Sequence, residues 1–340
     1  MTTTDPAPAA PMWFDNEHPA LASCWHPVAE VDALDGPGPH AVRLLGRDLA
    51  LFRNSDGWAA LPDLCPHRLA PLTAGTVEDG TIRCAYHGWC FDGAGRCVEI
   101  PAIGPDAHVP PTAHLDAAAG VVERYGLVWV ALDEPVTPLP EVPEWGDETL
   151  GIARIPVHDW RASAAQMADN FLDVAHFPFT HTATIGDPDD RIVGDYELRR
   201  DGWSFSAHHR HSSQLLDGTG RISERTMDFV CVAPHHVRLR LEYDHQVLVL
   251  LFFHQPIDVG TTRLYCIALD STIAEDPSAA DATIGLQVAV GTEDRDLLER
   301  LVRKAVPLTA GAETHTRADR ITVELRRVLA DLVKATAPTP

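Results

Sequence analysis

The stretch "CPHRLAPLTAGTVEDGTIRCAYHGW" (residues 65–89) holds two cysteines and two histidines in two short arms, Cys65-Pro-His67 and Cys84-Ala-Tyr-His87. Sixteen residues separate His67 from Cys84. Two soft thiolates and two imidazoles at such spacing imply a bound metal. The fold and the chemistry both turn on which metal it is.

The rest of the chain sets bounds. Its 340 residues allow two domains, and a hydrophobic fraction of 45% is ordinary for a protein with a real core. No run of about 18 apolar residues occurs, so no spanning helix is expected. The strongest apolar run, Val247–Phe253, reads as a buried strand. The opening MTTTDPAPAAPMW lacks the pattern of a secretory signal, and residues 1–19 read as a flexible N-terminal arm. Against 27 basic residues stand 49 acidic ones, a formal charge of −22. That argues against nucleic acid or an anionic membrane as partner, since both need a positive face. Seven cysteines make an odd count without a regular framework, which points to metal sites in a cytoplasmic protein.

Residues 20–135 read as all-β, with short apolar runs (Ala41–Leu45, Leu49–Phe52, Gly126–Leu132) punctuated by Asp-Gly turns. A Pro/Glu-rich segment around 136–150 reads as a connector. Residues 151–340 mix patterns. Helix formers occupy 161–175, strand candidates run from 196 to 270, a loop surrounds 274–281, and helical segments follow at 292–306 and 317–334. The class is α+β, an antiparallel sheet covered by helices.

Zinc patterns keep like with like, as Cys-x₂₋₄-Cys and His-x₃₋₅-His. Here each arm carries one of each. A Rieske [2Fe–2S] centre uses that chemistry, with two thiolates on one iron and two imidazoles on the other, which raises the reduction potential. Pro66 and Gly88 suit tight turns that offer backbone N–H groups to cluster sulfur. "CPHRLAPLTAG", "CAYHGWCFDGAGRC" and "EIPA" together resemble the Rieske domain, which assigns Cys65, His67, Cys84 and His87 to the cluster. Cys90 and Cys97 read as packing residues.

A single cluster would make the chain only a carrier. "QMADNFLDVAHFPFTH" (166–181) offers a destination. Asp173 and His176, three apart, would share a helix face, and Pro178 would break the helix at Phe177, letting His181 swing back. Alone this pattern is weak. With the upstream arms it resembles the N-x-x-D-x-x-H-x₄-H motif of Rieske non-haem iron oxygenases, with Asn170, Asp173, His176 and His181 in place. The resemblance makes His176 and His181 ligands of a mononuclear Fe(II), Asp173 a bridge to the cluster of a neighbouring subunit, and Asn170 a neighbour of the iron. The third ligand is sought in "VGTEDRDLLERLVRK". Leu297, Leu298, Leu301 and Val302 define an apolar helical face with Asp294 near its centre, while Glu293, Asp296 and Glu299 fall toward solvent. A lone carboxylate on a buried stripe is costly unless it binds something, so Asp294 is the expected ligand.

The resemblance covers nearly the whole chain. It implies a helix-grip-like catalytic domain and a terminal oxygenase that activates O₂ to hydroxylate or O-/N-demethylate a small aromatic or heterocyclic substrate. Aromatic acids and rings bearing methoxy or methylamine groups are the candidates; ring cis-dihydroxylation is the alternative within the class. No G-x-G-x-x-G fingerprint is present, so NAD(P)H electrons would come through a separate reductase or ferredoxin, and the family implies a homotrimer. Arg68, Arg83 and Arg96 are either a docking patch for an acidic redox partner or ordinary solvated arginines. His208, His209 and His211 read as an exposed sheet surface. The rival function is a Rieske electron carrier whose second half is a non-catalytic binding domain.

Overall fold

In the computed structural model, residues 12–105, 108–214 and 222–337 are described. The N-terminal half is built from three small antiparallel sheets. One joins His26–Glu30, Gly120–Arg124 and Leu127–Ala131; a second is the meander of His40–Leu44, Arg47–Asn54 and Gly57–Pro62. The third, Thr76–Glu78, Thr81–Arg83, Cys90–Phe91 and Cys97–Glu99, carries the second Cys/His arm at one end. Alternation explains the packing: Ala50, Phe52, Ala59 and Leu61 point to a small core shared with Ile82 and Phe91, and Cys65 and Cys84 are buried in it.

The C-terminal half is one large antiparallel sheet. From Glu197–Asp201 at one edge it runs through Ser204–Gln214, Ile222–Val232, His236–Glu242, Val247–Asp258 and Thr261–Asp270. Gly151–Arg154 and His158–Trp160 both pair with the last of these. Besides a short helix at Ser271–Glu275, four helices accompany it: α1 (Ala164–Leu172), α2 (Phe177–Thr180), α3 (Ala280–Leu298) and α4 (Arg320–Ala335). The expected architecture, an all-β domain followed by a sheet with helices, is the observed one.

Several expectations need correction. Of the N-terminal arm, residues 1–11 lie outside the described residues, and from Met12 the chain is tied down. Trp13–Phe14 pairs with Val306–Pro307, and Phe14 is buried. The helical segment expected over 292–306 begins earlier, at Ala280, because Pro277 belongs to a preceding 3-10 turn. It ends at Leu298, where the Lys304 ammonium donates to the carbonyls of Leu298 and Glu299. His209, expected on an exposed surface, is buried with its ring tilted against that of Tyr196 at 3.8 Å; His208 is exposed and His211 lies in the same strand.

The connector is pinned to both halves. The Tyr125 hydroxyl donates to the Pro140 carbonyl (2.9 Å) and accepts from Val142 N–H (3.1 Å), and Glu144 is paired with Arg238 of the large sheet. Where the halves meet, His26, His235, His236 and His254 are buried together. The rings of His26 and His236 donate through Nε2 to the carbonyls of Leu21 and Trp25, both at 2.9 Å. Burial pushes all four below the ordinary histidine range, His26 to about 4 and His254 to about 3. They are neutral in the fold and take up protons near pH 6.5 once unfolded, so their depressed pKa values favour the fold less as pH falls through that value. We expect several kcal/mol of stability to be lost between about pH 6.5 and 4 on this account. Urea denaturation across that range checks it, and a His254→Gln variant should show a shallower slope. A slope unchanged by that substitution would contradict the assignment.

Candidate metal centres and active site

The two Cys/His arms fold into matching loops. Cys65 C=O accepts from Leu69 N–H at 2.9 Å and Cys84 C=O from Gly88 N–H at 3.0 Å. Cys65 N–H donates to Ala70 C=O at 2.8 Å and Cys84 N–H to Trp89 C=O at 2.9 Å. The fourth residue after each cysteine is left-handed, Leu69 at φ 57° and Gly88 at φ 71°. Gly88 suits that conformation, whereas Leu69 adopts it at a steric cost, a feature concentrated at functional sites. Both thiols are buried, His67 is half-buried and His87 is exposed. The His67 and His87 rings lie 4.4 Å apart, His67 stacks on Trp89 at 4.6 Å, and its Nδ1 has no hydrogen-bond partner among the described residues. Burial, with Cys84 alongside, pushes the Cys65 thiol up to about 11. This donor set fits a cluster with its thiolate iron inside and its imidazole iron at the surface.

The second centre forms where α1 ends. Ser163 and Gln166 make a reciprocal cap at its start, and the helix stops at Leu172, with Asp173 already extended. Asp173 and His176 therefore do not share a helix face. Pro178 does not break a helix either; it sits in the first turn of α2, where its fixed φ and missing N–H are tolerated. The Asp173 carboxylate folds back instead, accepting from the N–H groups of Ala175 and His176 and, at 2.9 Å, from His176 Nδ1.

His181 is fixed the same way. Its Nδ1 donates to Glu293 Oε2 at 2.7 Å, and that oxygen also accepts from Thr184 Oγ1 at 2.7 Å. With both Nδ1 atoms held as donors, each Nε2 presents a lone pair, and the two Nε2 atoms face each other at 3.2 Å. Asp294 Oδ1 lies 3.4 Å from His176 Nε2 and 3.1 Å from His181 Nε2, yet forms no well-aligned hydrogen bond. Three acceptors converging on one buried point repel unless a cation lies among them. The residues thus fit a divalent metal held by two histidines and a carboxylate. Without one a proton takes its place. Burial opposes a charged His176, but Asp173 and Asp294 outweigh it and raise it to about 9; burial likewise opposes ionised Asp294, but the two histidines lower it to about 2.

Asp294 is buried as expected, but for a different reason. Leu297, Leu301 and Val302 are exposed, so the apolar face drawn around Asp294 does not exist. Glu293, expected in solvent, is the partner of His181, and Glu299 pairs with Arg161 at 2.8 Å; only Asp296 is solvated. The corresponding signal was the carboxylate adjacent to a ligand, a common place for a group that orients another ligand. Glu293→Gln should lower Fe(II) affinity about tenfold, measured by chelator competition; unchanged affinity would remove it from the site.

The His–His–Asp group opens on a cavity of about 990 Å³ of empty space, counting its mouth, which Asn170, Phe171 and Phe177 also line. His26, His235 and His236 bring ring nitrogens together as well, but no carboxylate joins them, and two of the rings are committed to backbone carbonyls. Of the three arginines considered for docking, Arg83 pairs with Glu99 (3.0 Å) and Arg96 with Asp92 (2.7 Å), which leaves Arg68, exposed beside His67.

Two loops with the donor set of a Rieske cluster, and a histidine–carboxylate group at a cavity wall, fit an iron-dependent redox enzyme. Residues 24–121 match the Rieske [2Fe-2S] domain and residues 160–335 the vanillate O-demethylase oxygenase C-terminal domain. The chain is 30% identical over 336 residues to methylxanthine N1-demethylase NdmA of Pseudomonas putida, covering 95% of this chain and 92% of that one. It is 28% identical over 335 residues to methylxanthine N3-demethylase NdmB of the same organism, covering 90% and 88%. The structure of NdmA with caffeine superposes with a TM-score of 0.84 at 28% identity over 94% of this chain and 93% of that one. Dicamba monooxygenase, at 20% identity and TM-score 0.75 over 93% and 99% of the two chains, shares the fold. The chain belongs to the Rieske oxygenases, as a terminal oxygenase component with a vanillate O-demethylase-type C-terminal domain. It carries a Rieske cluster and a mononuclear iron, consumes O₂ and receives NAD(P)H-derived electrons from other components of a multicomponent system.

Proposed function

We propose that Cys65, His67, Cys84 and His87 hold the [2Fe–2S] cluster, that His176, His181 and Asp294 hold Fe(II), and that the enzyme oxidatively demethylates a small aromatic or heterocyclic O- or N-methyl compound. The observation that carries this reading is the pair of Nε2 lone pairs 3.2 Å apart over Asp294 Oδ1, at the wall of an apolar cavity. Bound iron supplies O₂ activation at positions its three protein ligands leave open. The protein's own groups do the rest. Asp173 and Glu293 hold the two Nδ1 protons and turn each Nε2 toward the iron site, the apolar walls exclude bulk water, and Asn170 offers the cavity an amide nitrogen unpartnered among the described residues. One oxygen atom enters a methyl C–H bond, and the hydroxymethyl group leaves as formaldehyde. The other oxygen becomes water, taking two electrons and two protons.

Electrons pass from the exposed His87 side of one subunit to Asp173 of the next in a head-to-tail trimer. The partial exposure of both side chains supports this. A ferredoxin or a reductase docks at Arg68, and the enzyme works in the cytoplasm, consistent with seven unbridged cysteines. Among the described residues no helix is long and apolar enough to cross a membrane. The carrier reading is not favoured, because the second half matches an oxygenase domain. With a surrogate reductase, a panel of methoxy- and methylamino-arenes should give O₂ uptake with equimolar formaldehyde. Substrate-independent O₂ uptake without formaldehyde would contradict demethylation.

A further inference from the structure

Arg225 sits on the strand Ile222–Val232 with its side chain on the cavity side, in alternation with Met227, Phe229 and Cys231. Only 3% of it is exposed. Its Nη1 donates to the Tyr243 hydroxyl at 2.7 Å, but Nε and Nη2 have no partner among the described residues. A guanidinium stays charged in proteins, and a buried charge without a counter-ion is strongly disfavoured. Among the described residues lining the cavity Asp294 is the sole acid, and it is turned toward the two histidines. The guanidinium carbon lies 5.7 Å from the Phe177 ring and 5.8 Å from that of Tyr243. Such ring contacts are weaker than a carboxylate pair and leave the in-plane N–H donors unmet. Tyr243, accepting from Arg225, keeps its own proton free to donate toward the same point.

We propose that Arg225 and Tyr243 form the anion-binding end of the substrate cavity, and that the substrate carries a carboxylate on its ring. Two unmet donors in the planar fork of a guanidinium match a carboxylate's two oxygens. Phe177 links the two ends, its ring centroid 4.9 Å from that of His176 and 5.5 Å from that of His181. An acid held at Arg225 leaves the far side of its ring facing His176, His181 and Asp294. This separates the chain from the methylxanthine demethylases it resembles, whose named substrates carry no acid group. The inference rests on the oxygenase reading for what happens at the other end of the cavity, but not for the binding itself.

The test uses the holoenzyme under anaerobic conditions, with 3- and 4-methoxybenzoate and the matching methoxybenzamides titrated by calorimetry. We expect each acid to bind at least about tenfold more tightly than its amide. That preference should fall to about one in Arg225→Gln and be partly kept in Arg225→Lys. Equal binding of acid and amide by the unmodified enzyme, binding by neither acid, or a preference that survives Arg225→Gln would each overturn the proposal; the first two comparisons need no variant to fold. Turnover separates the two readings. Formaldehyde from amides and acids alike would remove the anion site and leave the demethylase standing. Acid-selective binding with no O₂ uptake from any compound would do the reverse.

Discussion

Replacing His176 by alanine should strip the mononuclear iron and abolish turnover while leaving the visible spectrum of the cluster unchanged. The reason is geometric. His176 supplies one of only three converging donors, at 3.2 Å from His181 Nε2 and 3.4 Å from Asp294 Oδ1. Two remaining ligands hold a divalent ion far more weakly than three, and the vacated volume fills with water. The residues proposed for the cluster lie in another domain with its own core of Phe52, Leu61, Ile82 and Phe91, so the substitution should leave them untouched. Iron analysis and single-turnover oxidation of the reduced enzyme check this. Retained mononuclear iron, or turnover above about one-hundredth of normal, would contradict the assignment.

Asp173→Asn should have a different signature. Its carboxylate accepts from His176 Nδ1 and from two backbone N–H groups. Asparagine can replace the backbone contacts through its carbonyl oxygen but removes the negative charge. Both metals should stay in place, and cluster reduction by the redox partner should proceed at its usual rate. Electron delivery to the iron should fall about a hundredfold or more, since the bridging contact also sets the imidazole's tautomer. The decisive comparison is stopped-flow reoxidation of the reduced cluster with substrate and O₂ present. Reoxidation at the normal rate would leave Asp173 only an orienting role.

Apart from Asp294, the residues proposed as ligands fall in pairs that are neighbours in sequence. Cys65 with His67 and Cys84 with His87 each sit in one loop, and His176 and His181 flank α2, so spacing carries their geometry. What the loops cost was not readable: the left-handed conformation of Leu69 answers that of Gly88 nineteen residues later, and leucine gives no hint of it. Contacts between distant segments were misread for a physical reason. Helix periodicity places a residue on a face but does not say what covers that face. In α3 the covered face is the one bearing Asp294 and Leu298, not the row of Leu297, Leu301 and Val302. Nothing near Glu293 in the sequence marks its role, because its partners, Thr184 and His181, lie 109 and 112 residues back in the chain. Arg225 carried a signal that went unused. It interrupts an apolar alternation through Met227, Phe229 and Cys231 where the strand, with Met227, lines the cavity.

The central claim is that one chain holds both an electron inlet and a separate iron centre for the electrons to reach. Iron and acid-labile sulfide per chain, measured on anaerobically prepared enzyme and on His176→Ala side by side, test it most directly. The account predicts about three irons and two sulfides in the first, and about two of each in the second. Two irons in both would contradict it, leaving a Rieske protein with no second metal.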